Sequence, residues 1–223
     1  MNKTISIFLF LFVIWFFNSC SPKITAPQKT IALTFDDGPD SIYTQQVLNV
    51  LKSKKVKATF FLIGSFIEPN RNIVERIHKE GHCIGNHSYH HLDFWNLKSN
   101  ELLEKEIEPT SELICRFTGI LPRLYRPPFG FMYRDFAEYL KEKGFYIILW
   151  DIDPRDFESD KTVQKITDKV INEAKDKSII LMHCGNGDRS NTVKALPGII
   201  VRLKKMHYRF IRIDEMLNVP ESF

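Results

Sequence analysis

Five polar residues of this chain each stand just past the C-terminal end of a short apolar run: Asp36, His87, Arg126, Asp153 and His183. Between the runs lie longer amphipathic stretches, so that strand and helix alternate about every 25–30 residues, the spacing of βα units and of a parallel sheet. The pattern predicts strands over 31–35, 58–63, 83–86, 146–150, 179–182 and 209–213, with Leu124 and Tyr125 leading into a Pro-Pro turn. It predicts helices over 43–54, 72–80, 99–117, 134–143, 162–174 and 191–204, the third kinked at Pro109 and the fourth closed by Gly144. About seven such units in one domain point to an incomplete barrel, although periodicity alone does not separate a barrel from an open sheet. In a parallel barrel the five polar residues share one face, where such folds build their sites.

Bulk properties narrow the function classes. A chain of 223 residues supports one sizeable core and not two. Its 18 Phe suit a packed core with a few exposed rings at a cleft, and its net charge of +4 is mild. No run of Lys and Arg interleaves with aromatics, so nucleic acid is not expected as a partner.

The first twenty residues read as an export signal and not as part of the fold. Lys3 precedes an uncharged apolar run from Ile5 to Phe17, followed by Asn18-Ser19-Cys20. A Cys after a small residue resembles a lipobox, with Phe17 where Leu is usual. Membrane attachment through a lipidated Cys20 is therefore expected, with plain secretion or an uncleaved anchor as the alternatives. The run is shorter than the ~20 residues of a spanning helix. The expected organisation is a signal over 1–20, a short linker over 21–28 and a catalytic domain over 29–219, placed in the cell envelope. Cys83, Cys115 and Cys184 are an odd number without paired spacing, and Cys83 reads as an inert thiol.

Two motifs carry the chemistry. Thr34-Phe35-Asp36-Asp37-Gly38-Pro39 places adjacent carboxylates at a strand end, which is costly to ionise unless a cation shares them. His87-Ser88-Tyr89-His90-His91 spaces two imidazoles four apart, so that on a helical turn both reach one ion. Asp37, His87 and His91 then leave positions open for water and substrate, and His90 is a bystander. Taken singly, each motif also reads as a polar loop or an Asx turn.

In this order the residues resemble the polysaccharide deacetylase family, the domain shared with the nodulation chitooligosaccharide deacetylase (carbohydrate esterase family 4). The resemblance runs from about Thr30 to Leu217. Beyond the two motifs above it rests on Arg126-Pro127-Pro128-Phe129-Gly130, Asp153-Pro154-Arg155-Asp156-Phe157 and Leu181-Met182-His183. It implies a distorted seven-stranded (β/α) barrel and one divalent metal, usually zinc, with cobalt or another ion able to substitute. By position it implies Asp37, His87 and His91 as metal ligands and Asp36 as general base, held by a bidentate Arg126. His183 becomes the general acid with Asp156 as partner, Asp153 being the other candidate. Phe129 offers its backbone N–H to the oxyanion, and Leu181, Phe157 and Trp150 complete the substrate-binding set. Phe157 stands where the family carries Trp, and Cys184 where an acidic residue is frequent.

The implied activity is removal of N-acetyl groups from an N-acetylglucosamine-containing polysaccharide, peptidoglycan first, with chitin oligomers and surface poly-N-acetylglucosamine as rivals. O-acetyl esters of the xylan type, a carbohydrate-binding pseudoenzyme and a zinc-braced structural barrel are the alternatives.

Overall fold

The computed structural model describes residues 28–92 and 99–220. The export signal expected over 1–20 and the linker over 21–28, Gln28 excepted, lie outside the described residues, and so does Cys20. Among the described residues no helix is long and apolar enough to cross a membrane.

Strand β1 (Thr30–Gly38) is buried from Ile31 onward. It pairs in parallel with β2 (Thr59–Leu62) and with β6 (Ser178–His183). Beyond β2 the sheet continues through β3 (Cys83–Asn86), β4 (Leu124–Tyr125) and β5 (Tyr146–Ile147), in the order β5-β4-β3-β2-β1-β6. Strand β7 (Arg209–Phe210) adds to the first residues of β1. The sheet curls until its ends meet: past β5, Ile152 bridges Ile180 of β6. There the Leu181 N–H donates to the Ile152 carbonyl at 2.9 Å, and the Asp151 N–H to the Ile179 carbonyl at 3.0 Å. The fold is α/β, a single-domain, distorted seven-stranded parallel barrel closed along one short seam.

Alternation along β1 divides its side chains between two layers. Ile31, Leu33 and Phe35 face outward and pack against Val47, Leu48 and Leu51 of α1 (Tyr43–Lys54) and Leu196, Ile199 and Ile200 of α8 (Ser190–Lys205). Each such side chain contributes about 1.5–3 kcal/mol by leaving water. Ala32, Thr34 and Asp36 face inward, and Ala32 clusters there with Phe61, Leu124, Ile148 and Ile213. The inner face therefore turns from apolar to polar toward the C-terminal ends of the strands, which positions the site. A smaller cavity of about 190 Å³ at the opposite end is lined by His82, Cys83, Arg123 and Arg212.

The remaining helices are α2 (Gly64–Ile67), α3 (Arg71–Lys79), α4 (Ser99–Leu102), α5 (Glu108–Thr118), α6 (Arg134–Glu142), α7 (Val163–Glu173) and α9 (Ile213–Leu217). Gly144 (φ +85°) turns the chain after α6, as expected.

Four elements depart from the sequence reading. Strand β1 extends through both aspartates to Gly38, because β6 pairs as far as Asp36. The strand expected over 146–150 ends at Ile147, after which the chain crosses to β6. The last strand stops at Phe210, and Ile213, expected to end it, begins α9. The long helix over 99–117 is present and continuous, as α4, a π-helical turn over Leu103–Ile107 and α5, so that only the π-turn departs. Pro109 has no N–H to return to the Lys105 carbonyl four residues back, so the expected irregularity falls in the turn before the proline.

Candidate active site

Asp37, near the end of β1, meets His87 and His91 from the loop after β3. One donor atom from each lies within 4.8 Å of the others. His87 Nε2 and His91 Nε2 are both 3.5 Å from Asp37 Oδ1, a buried oxygen without a hydrogen-bond partner among the described residues. The His87 Nδ1 lies 2.7 Å from the Arg126 carbonyl, which places the proton on Nδ1 and leaves the Nε2 lone pair free. Two imidazoles and a carboxylate around an orphaned oxygen fit a divalent metal of the zinc type with positions to spare.

The histidines do not share a helical turn. They sit in a loop in which Ser88 (φ 64°) and His91 (φ 58°) are left-handed, and the fold of this loop brings the rings to 4.9 Å. His90 turns away to Glu106 and stays out of the cluster, as expected. Burial raises the Asp37 carboxyl, but the His87, His183 and His91 imidazoles outweigh it and hold the group below its ordinary value. Burial and the neighbouring His87 draw the His91 imidazole down, against Asp37 and Asp36. An unprotonated His91 is the form that ligates.

Asp36 lies in β1 with its Oδ1 2.7 Å from Arg126 Nη1. The contact is not the bidentate fork expected. Nη1 also donates to Thr34 Oγ1 at 2.7 Å, while Nε and Nη2 donate to the Ile148 and Leu149 carbonyls at 3.2 Å. Arg126 is fully buried, its guanidinium over the Phe61 ring at 4.1 Å. Burial draws it below its ordinary value, with Asp36 opposing. Asp36 Oδ2 faces His87 Nε2 at 3.7 Å, so the carboxylate spans the arginine and the Asp37, His87, His91 cluster.

His183 ends β6 directly across the ladder from Asp36. Its Nδ1 lies 2.8 Å from Asp156 Oδ1, and its backbone N–H donates to Asp156 Oδ2 at 2.9 Å. Asp156, not Asp153, is the partner, since Asp153 accepts from the Arg155 N–H within its own turn. Burial pulls the His183 imidazole down, but Asp156, helped by the Asp36 and Asp37 charges, more than compensates and raises it above the ordinary value.

These groups line one open cleft of about 460 Å³, together with Pro127, Phe129, Trp150, Asp153, Phe157, Leu181, Asn186 and Arg189. All the expected site residues are thus gathered except Arg126 and Asp156, which stand behind Asp36 and His183. Phe129, left-handed at φ 58°, is 69% exposed and meets His91 edge-on at 4.8 Å. Phe157 meets His183 edge-on at 5.2 Å, and Leu181 is a buried floor. Trp150 lies 5.7 Å from Arg126.

Sequence reasoning missed two supports at the start of α8. The buried Arg189 donates from Nε to the Gly185 carbonyl and from Nη2 to the Asn186 carbonyl, both at 2.8 Å. Its Nη2 is 3.7 Å from Asp37 Oδ2. Thr192 Oγ1 donates to Asp156 Oδ2 at 2.6 Å. The only signal was their proximity to His183, along a helix whose remaining face is ordinary core.

Comparison with known proteins agrees with this geometry. The polysaccharide deacetylase family model matches residues 23–148. A peptidoglycan-N-acetylglucosamine deacetylase of Bacillus cereus is 42% identical over 192 residues, spanning 85% of this chain and 89% of its own. A bifunctional xylanase/deacetylase of Pseudobutyrivibrio xylanivorans is 36% identical over 200 residues, 87% of this chain and 31% of that protein. A solved peptidoglycan N-acetylglucosamine deacetylase, in complex with a naphthalenyl N-hydroxybenzamide, superposes with a TM-score of 0.83 at 36% identity, covering 87% and 90% of the two chains. With the family match over more than half its length and relatives along nearly all of it, this chain belongs to the polysaccharide deacetylase family of hydrolases.

Proposed function

We propose that this chain is a metal-dependent N-deacetylase of an N-acetylglucosamine-containing glycan, with peptidoglycan as its substrate. The observation that carries the reading is one cleft in which Asp36–Arg126, His183–Asp156 and the Asp37, His87, His91 cluster converge. Held by those three ligands, a divalent ion, zinc by preference, supplies Lewis-acid polarisation of the acetyl carbonyl and acidifies the water beside it. Asp36, kept ionised by Arg126, takes the proton of the attacking water. The Phe129 N–H is assigned to the oxyanion as charge develops on the acetyl oxygen. His183, protonated through its pairing with Asp156, gives its proton to the sugar nitrogen as the C–N bond breaks. Leu181 receives the acetyl methyl group, and Trp150 and Phe157 wall the sugar.

An amine leaves far less readily than an alcohol, so a charged acid beside the base favours amide over ester substrates. The open cleft with exposed rings at its mouth suits an internal sugar of a polymer. The names of the Bacillus cereus relative and of the solved neighbour point to peptidoglycan. We place the enzyme in the envelope, with residues 1–20 as an export signal of lipoprotein type acylated at Cys20, 21–28 as a linker and 29–219 as the catalytic domain.

The test is acetate release by zinc-loaded protein from peptidoglycan, N-acetylglucosamine oligomers and acetylated xylan. Loss of release in Asp36→Asn and after chelation is expected, with peptidoglycan the best substrate. Release from xylan alone would assign the O-acetyl esterase alternative, favoured by the xylanase/deacetylase relative. No release from any of them, with zinc bound, would leave a binding protein.

A further inference from the structure

A buried carboxylate outside the cleft organises the loop that carries both histidines. Glu106 is only 2% exposed and projects from the π-helical turn Leu103–Ile107. Its Oε2 accepts from the Tyr89 N–H at 3.0 Å and the His90 N–H at 2.8 Å, and its Oε1 lies 2.8 Å from His90 Nδ1. All three contacts fall between His87 and His91.

The remaining N–H groups of that loop are equally accounted for. The His87 N–H donates to the Leu62 carbonyl, the Ser88 N–H to Asn86 Oδ1, and the His91 N–H to Ser88 Oγ. The Ser88 and Tyr89 carbonyls accept from the Gly64 and Ser65 N–H groups. Asn86 in turn donates to the Ile107 carbonyl and Ser111 Oγ, tying the loop's start to the same helical segment. Of the four acceptors that take the five N–H groups, Glu106 alone is charged, and it takes two.

A loop with left-handed Ser88 and His91 persists only where its surroundings over-determine it. Helical spacing puts residue 106 on the face of Leu102 and Leu103, four and three residues earlier, and both are buried with Ile107. The carboxylate projects inward beside them from the π-turn. Such turns concentrate at functional sites.

We infer that Glu106 is a positioning residue that holds the His87–His91 loop in its metal-binding conformation before the ion arrives. The inference rests on the metal site proposed above and deepens it. Without Glu106 two buried N–H groups lose their acceptor, the loop relaxes, and ion binding has to order it again.

The test uses metal-stripped protein and its Glu106→Ala and Glu106→Gln variants, with folding checked by near-ultraviolet circular dichroism. Zinc affinity is measured by chelator competition, with amide exchange at Tyr89 and His90 in the zinc-free wild type. Zinc binding is expected to weaken about 10–100-fold in Glu106→Ala and less in Glu106→Gln, which keeps one acceptor oxygen. The zinc-induced rise in melting temperature shrinks in step, which a merely stabilising residue would not produce. The wild-type amides are expected to be protected without zinc. A folded Glu106→Ala that binds zinc as the wild type does would overturn the inference. So would free exchange at Tyr89 and His90 in the wild type, a result independent of whether either variant folds. A wild type that binds no zinc at all would instead sink the metal site, while the exchange measurement still decides the role of Glu106.

Discussion

Arg126 spends every guanidinium nitrogen on a fixed partner. Removing it strands Asp36 as a buried, uncompensated charge. Arg126→Ala should therefore cost about 3–5 kcal/mol in urea unfolding. Arg126→Lys keeps the charge but cannot reach the Ile148 and Leu149 carbonyls together with Asp36, and kcat should fall about 10²-fold or more while the protein stays folded. At His183 the prediction concerns pH. Asp156 raises the imidazole, so a general acid there stays protonated further into the alkaline range. Asp156→Asn removes that charge, and the alkaline limb of kcat/KM should move to lower pH; an unmoved limb would discount His183 as the acid. Residue identities at the site were legible because metal, base and acid chemistry demand particular side chains. The geometry was not. Four-residue spacing suggested a helical turn for His87 and His91, whereas backbone left-handedness at Ser88 and His91 does the gathering. Arg189 and Thr192 were silent because an arginine and a threonine at a helix start have many ordinary uses.

Among the elements, the loop between β6 and α8 is the tightest constraint. A Cβ on Gly185 would stand 2.1 Å from the Asp37 carbonyl oxygen. Backbone cannot yield as a flexible side chain would, so Gly185→Ala should displace Asp37 and weaken zinc binding at least tenfold, measured by chelator competition. Gly119→Ala, where a Cβ meets nothing but the backbone is left-handed, serves as the control for strain alone. Periodicity located nearly every strand and helix but not their ends. The strand at 146–150 stops after two residues because the chain must cross the seam to Ile180, a tertiary requirement that no local pattern records. The π-turn at Leu103–Ile107 was foreshadowed only as a kink at Pro109, whose missing N–H falls opposite the Lys105 carbonyl within it.

At the scale of the whole molecule, stability couples to metal and to protons. Zinc held at about 100 times its dissociation constant should stabilise the fold by about 2.7 kcal/mol, a rise of roughly 5–10 °C in Tm that chelation reverses. At the other end of the barrel, the Ala58 N–H donates to His82 Nδ1 at 3.1 Å, which needs a neutral ring. Burial, then Lys57, draws that imidazole from its ordinary 6.5 down to about 4. Between those values the unfolded chain binds a proton that the folded chain refuses. Stability is therefore lost as pH falls through that window, by up to about 1.4 kcal/mol per pH unit from this group. His82→Gln should flatten that slope between pH 6.5 and 4 in urea unfolding; an unchanged slope would assign the loss to other groups.

Asp36 and His183 occupy facing positions on adjacent parallel strands. The backbones that carry the proposed proton acceptor and donor are thus held at the strand spacing of the sheet, about 4.8 Å, which owes nothing to the loops. Loop exchange over evolutionary time could then re-tailor which polymer is gripped while the spacing of the reacting pair stayed untouched. The barrel works as a standard socket, and the loops as the fittings changed around it.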